Sequence, residues 1–170
     1  MTETSVSRLI SEFLEAGLIE ENEDSLVRGG GRPSASGKYE NIELCPSSYI
    51  EYLERMEHFR GPYFVPVAMS WAVQEDASET AEDLSREYPD FTTSSKFFFS
   101  EHQGYIVWYF KKNDPGVYRF GEDTEREELL ASSFEEFLNK MLNYAVCERR
   151  RSRDAKKRMH ERNKRRSSGG

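Results

Sequence analysis

Cysteine and histidine are scarce in this chain, and long apolar runs are missing. Each shortage removes a class of function. Cys45 and Cys147 are the two cysteines, about a hundred positions apart, without the spacing of a zinc site or a CxxC redox pair. A disulfide between them is not the expected state, and a reducing, cytoplasmic setting is. Three histidines, His58, His102 and His160, have no partners at metal-ligand or triad spacing. No apolar stretch approaches the roughly 18–20 residues that span a bilayer, and no apolar core follows a basic start as in a secretory signal. The expectation is no membrane. At 36% hydrophobic residues and a mean hydropathy of −0.80, the composition is too polar for every residue of a compact globule, so part of the chain is expected outside the core.

Signatures of catalysis are missing as well. Gly29-Gly30-Gly31 is not followed by the Gly-Lys-Ser/Thr of a phosphate-binding loop, and no nucleophile elbow or metal-ligand cluster is present. Glu127-Glu128 sits in an acidic run of the kind that is usually solvated. The reading is a non-enzyme with no catalytic residue, no cofactor and no metal.

What the chain has in abundance is charge, unevenly placed. Residues 148–170 hold eleven Lys/Arg against three Asp/Glu, a net of +8, whereas residues 1–147 hold thirteen against twenty-eight, a net of −15. An acidic body suits basic protein partners, and a basic tail suits polyanions. Nucleic acid is therefore a candidate partner for 149–166, through a tail that is disordered or a solvated helix. Folding back on the acidic body and simple solubilisation are the other readings of that tail.

Between Lys96 and Phe120, three aromatic-rich runs (Phe97–Phe99, Tyr105–Phe110, Val117–Phe120) are separated by His-Gln-Gly and Asn-Asp-Pro-Gly. Aromatic and β-branched runs punctuated by turn formers predict a meander of three antiparallel strands. Tyr105–Phe110 is apolar throughout and is expected to be central, with both faces covered. Glu122–Glu128 reads as a solvated acidic loop or helical turn, and Ser78–Tyr88 as an exposed acidic helix. Tyr49, Ile50, Tyr52, Leu53 and Met56 suggest a short helix. Residues 63–73 are apolar and fit either a strand or a buried turn and helix. Ser133 with Glu136 is a capping-box signature. Phe134, Phe137, Leu138, Met141, Leu142 and Ala145 then form one helical stripe that must bury, most simply on the sheet.

At the N-terminus, Val6, Leu9, Ile10, Phe13 and Leu14 lie at helical spacing, with Thr2, Thr4 or Ser5 as cap and Gly17 as stop. Strand-like pieces around Leu18–Glu20 and Tyr39–Leu44 flank a Gly-, Ser- and Pro-rich tip, which reads as a long-looped hairpin. SVSRLISEFLEAGLIEE with GGGRPSASGKYENIELCP (roughly 4–46) resembles the recognition helix and wing of winged-helix regulators, closest to the ROK repressors. That resemblance implies DNA contacts by Ser5, Ser7 and Arg8 in the major groove and by Arg32 from the wing. The two helices that precede a recognition helix are not in the sequence, and residues 1–45 carry four basic against nine acidic residues, which opposes phosphate binding.

Farther on, FFFSEHQGYIVWYF, NDPGVYRFGED and ASSFEEFLNKML, in that order across 97–146, resemble the SUKH superfamily of a yeast cell-wall-synthesis regulator and bacterial immunity proteins. The resemblance implies an α+β domain, an antiparallel-rich sheet with helices packed on it, over 46–147. A helix-plus-hairpin segment (1–45) would precede it, and the basic tail (148–170) follow it. It also implies binding rather than catalysis, with a basic nuclease toxin as the type of partner. Residues 46–147 carry nine basic and nineteen acidic residues, a net of −10, which suits electrostatic steering toward such a partner. The candidate partner-binding residues are Glu122, Asp123, Glu125, Glu127 and Glu128. His102, Gln103, Gly104 and Tyr105 form the family-like turn, where His102 either caps the turn or packs on Tyr105. A DNA-associated regulator using the N-terminal segment and the tail is the alternative function.

Overall fold

The computed structural model describes residues 4–22, 42–63, 65–70 and 73–167, with side chains as far as Glu161. Its elements run α1 (Ser5–Glu15), β1 (Glu20–Glu21), α2 (Ser47–Met56), β2 (Phe59–Arg60), α3 (Gln74–Glu87), β3 (Lys96–His102), β4 (Ile106–Lys111), β5 (Asp114–Gly121), β6 (Glu128–Ala131) and α4 (Phe134–Ser167). The chain is α+β: strands β3-β4-β5-β6 form one antiparallel sheet in sequence order, with helices packed on both faces.

Alternation along the strands creates the two faces. Ile106, Trp108 and Phe110 of β4 point into a core shared with α1, α2 and α4, while Val107 and Tyr109 point into a second core under α3. All five are buried, so the central, doubly covered strand expected from its unbroken apolar run is what forms. On the larger face Tyr49 of α2 is the hub. Its ring lies 5.4 Å from Phe99, 5.2 Å from Phe110 and 5.2 Å from Phe134, within the range where tilted and edge-on aromatic pairs attract. Phe134, Phe137 and Leu138 of α4 are buried in the same core, and Phe137 meets Phe99 edge-on at 6.1 Å.

α4 begins as the sequence signals, with one change of partner. Ser133 Oγ accepts from the Glu136 N–H at 3.2 Å, but the Glu136 carboxylate returns to Ser132, accepting from its N–H at 2.8 Å and its hydroxyl at 2.6 Å. The Glu136 carboxyl is held down at about 2 by the hydrogen bond from Lys140, then by those from Ser132. α1 is capped by Thr4, whose hydroxyl accepts from the Ser7 N–H. It closes through Gly17, with Gly17 N–H bonding Leu14 O at 2.8 Å and Leu18 N–H bonding Phe13 O at 2.9 Å, the paired bonds of a Schellman ending. Gly17 has φ +63°, and a Cβ there would collide with the Arg149 guanidinium, 2.3 Å from its nearest nitrogen. The positive φ makes the turn glycine-dependent, whereas the Arg149 guanidinium sits at the end of a flexible side chain and can move aside.

Four sequence expectations give way. Glu20–Glu21 pairs antiparallel with Phe59–Arg60, and Ile42–Leu44, the described end of the expected second hairpin strand, is a 3-10 turn. The Gly-rich tip and residues 39–41 lie outside the described residues. α3 is not wholly exposed: Ala77, Ala81 and Leu84 are buried on the sheet, because small residues at i and i+4 let the helix approach closely. The β4–β5 turn is Lys112-Asn113, one pair earlier than Asn-Asp-Pro-Gly, since Lys111 and Asp114 already face each other and Asn113 takes φ +59°. Finally Glu128–Ala131, the end of the supposed acidic loop and the two leucines after it, is a fourth strand. Residues 65–70 contain no helix or strand, but Val67 and Met69 are buried in the larger core. Residues 4–22 share that core too, through Val6, Leu9, Ile10, Phe13, Leu18 and Ile19.

Candidate partner-binding surface

The acidic run 122–128, a turn leading into β6, falls into three groups. Arg119, on the same face of β5 as Val117, holds Glu128 at 2.8 Å and Asp123. Glu128 is also within 3.4 Å of Arg126. On the other face Glu127 accepts from the Tyr109 hydroxyl at 2.6 Å and from Lys111, with Lys96 at 3.9 Å. Lys96 lies over the Phe91 ring at 4.4 Å and Lys111 over Tyr118 at 3.9 Å, adding cation–π attraction to the ion pairs. Partial burial of Glu127 disfavours its charge, but the hydrogen bonds from Lys111 and Tyr109 outweigh that and hold its carboxyl below the usual range. These three carboxylates are structural fasteners at the sheet's rim.

Glu122 and Glu125 form the third group. Both are exposed and lie close enough to raise the Tyr88 hydroxyl, after partial desolvation and together with Glu87. Tyr88 is half-buried, edge-on to Phe120 at 5.6 Å. The outer side of α3 continues this surface. Glu75, Asp76, Glu79, Glu82, Asp83 and Glu87 are all exposed, and Arg86, the helix's one cation, is drawn to Glu82 and Asp83. An acidic face centred on Tyr88 is therefore built by α3 and the 121–125 turn. The sequence marks 78–88 as an acidic helix but does not join it to the candidate surface, because its charges lie some thirty-five or more positions before the 122–128 run. The signal was present in the buried Ala77-Ala81-Leu84 spacing, which fixes the acids outward.

The other sequence candidates are placed as follows. His102 ends β3, and Gln103, Gly104 and Tyr105 form the three-residue connection to β4, with Gln103 at φ +53°, Gly104 at φ +79° and the Tyr105 N–H bonding His102 O at 3.2 Å, the positive φ values that suit strand twist in a tight turn. Glu101 accepts from the Gly104 N–H at 2.9 Å, and His102 packs edge-on to Tyr105 at 5.7 Å. Ser7 points toward α2, where its hydroxyl donates to Glu51 at 3.2 Å alongside Thr4 at 2.5 Å. Ser5 is exposed, Arg8 is exposed and 3.5 Å from Glu12, and Arg32 lies outside the described residues. α1 thus turns one of its three DNA candidates inward. Among the described residues no three His, Cys, Asp or Glu group as metal ligands, and no helix is long and apolar enough to cross a membrane.

A four-stranded antiparallel sheet closed by helices on both faces, with an acidic rim, defines an α+β domain. A family model described as the SMI1 / KNR4 family (SUKH-1) matches residues 19–140, and the chain belongs to that family. The matched residues begin ahead of position 46 and take in β1 and β2 as well as the sheet. SUKH members are immunity or toxin-associated proteins and cell-wall regulators, generally non-catalytic. No curated protein and no solved structure matches the chain.

Proposed function

We propose that this chain is an immunity-type protein that binds and neutralises a basic toxin, of the nuclease kind, through the acidic face of α3 and the 121–125 turn. The observation that carries the reading is the convergence of Glu87, Glu122 and Glu125 on Tyr88 beside the exposed carboxylates of α3. Nuclease clefts are cationic, and an acidic face steers such a partner into encounter. A half-buried aromatic inside a charged rim is the usual composition of an energetic hot spot. Asp123, Glu127 and Glu128 support this surface by holding the sheet's rim rather than by meeting the partner.

The test is co-expression with the toxic domain of a secreted toxin encoded beside this chain's gene, scored by growth. The wild-type chain restores growth, and a variant carrying Glu82→Lys, Glu122→Lys and Glu125→Lys does not, although it folds. Equal protection by that variant, or no protection by the wild type, rejects the reading.

A further inference from the structure

The basic C-terminal segment is neither a coil nor a strap over the acidic body. It is the continuation of α4, helical to Ser167, and α4 packs on the face of the sheet opposite α3. Packing ends near Arg149, whose guanidinium abuts Gly17; from Arg150 to Glu161 every side chain but Ser152 is exposed. The packed half nucleates the helix, so extension avoids the costly first turn.

At about 100° per residue, the cations of this projection are not spread evenly. Arg149, Arg150, Arg153, Lys156 and Lys157 fall within one sector of about 120°. Glu148, Asp154 and Glu161, the only acids beyond Cys147, fall outside it. Four of these cations, with Asp154, form one wall of a notch closed by Glu15 and Ala16 at the end of α1. From Arg149 to Arg166 the projection is about 27 Å long, far beyond the roughly 8–10 Å over which the acidic body's field persists at physiological salt.

We propose that this projection is a binding helix for duplex DNA, held by phosphates and without base readout. A helix about 10–12 Å across fits the major groove of B-DNA, about 12 Å wide. The deep, narrow groove of duplex RNA does not admit it. The five cations of that sector release counterions when they meet phosphates, and neutralising them removes the mutual repulsion of Arg149 with Arg153 and of Arg153 with Lys157 at i,i+4. The surface is separate from the acidic face of α3, so failure of one reading leaves the other standing.

The test measures binding of the full chain to a 30-base-pair mixed-sequence DNA duplex by fluorescence anisotropy at 50 and 200 mM KCl. With at least five phosphates engaged, the slope of log affinity on log salt is about −4.5 or steeper, a loss of roughly 500-fold across that range. Replacing Arg150, Arg153, Lys156 and Lys157 together by Gln, all exposed positions, weakens binding at 50 mM at least tenfold and flattens the slope. Ala155→Pro keeps every charge but breaks the rod, and weakens binding at least fivefold while thermal unfolding of the body is unchanged. Glu15→Gln strengthens binding severalfold. No binding at 50 mM, or a slope shallower than −2, overturns the proposal. So does wild-type affinity in Ala155→Pro, tighter binding to duplex RNA, or salt-sensitive self-association in place of DNA retention.

Discussion

The two faces of the β3–β6 sheet are closed in different ways. On one, three helices and the segment after β2 bury a wide aromatic core around Tyr49, Phe99, Phe110 and Phe134. On the other, α3 covers β3 and β4 with two alanines and a leucine, and the margin is finished by Lys96, Lys111 and Glu127. Apolar burial grows with area and is indifferent to salt, whereas exposed ion pairs contribute little and are screened. The first face therefore holds the fold, and the second is free to present carboxylates. A charged surface there is compatible with stability because the opposite face carries the core.

The largest effect lies at the aromatic hub. Phe134→Ala, fully buried between Tyr49 and Phe137, loses about 3–5 kcal/mol in denaturant unfolding, by lost burial and a cavity. Leu138→Ala loses about 2–5 kcal/mol, and a loss below about 0.5 kcal/mol would show that α4 does not close this core. On the α3 face Leu84→Ala costs less, about 2–3 kcal/mol, because its core is shallower. A larger loss there than at Phe134 breaks the comparison.

Next comes the rim. Glu127→Gln costs about 1 kcal/mol at pH 7, a value reduced for the exposure of the pair. The folded pKa of Glu127 is depressed, so its contribution is complete above the unfolded carboxyl value and is lost as pH falls through the folded one. The two proteins therefore converge in stability as pH falls below the folded value, and a gap that persists once the carboxyl is protonated in both states rules out the ion pair as the cause. Asp114, held down by the Tyr118 hydrogen bond and then by the Gly116 N–H, and Asp123, held down by Arg119, add acid sensitivity of the same sign. The smallest effect sharpens the picture of the acidic face. Glu122→Gln with Glu125→Gln leaves the unfolding midpoint unchanged and lowers the titration of Tyr88, read by carbon-13 tyrosine NMR. An unmoved Tyr88 would place those carboxylates too far away to form one surface with it.

Much of this architecture was legible along the chain. Ser133, Glu136 and the Phe134-to-Ala145 stripe announce α4, Gly17 announces the end of α1, and the unbroken Tyr105–Phe110 run announces a doubly covered strand. Those features are local: a cap bonds within four residues, and periodicity of 3.6 or 2 is set by the backbone alone. β6 was not legible, since Glu128-Leu129-Leu130-Ala131 has the composition of a helix and becomes a strand only because β5 offers an open edge. Nor was the partner of β1, because Phe59–Arg60 lies beyond an intervening helix and no local rule connects the two.

The sequence by itself determined the antiparallel meander, the helix that closes it and the split of charge between body and C-terminus. Tertiary structure alone decided where that charge works. It sent the neighbouring Glu127 and Glu128 to opposite faces of the sheet, and left Glu122 and Glu125 exposed on the turn beside Tyr88. It joined Glu122 and Glu125 to Glu87 across some thirty-five positions because α3 packs over Phe120. It also set the basic helix on the side away from the acids of α3, because α4 takes the face that α3 leaves. Charges are written one residue at a time, but a surface exists only when packing has chosen which of them become neighbours.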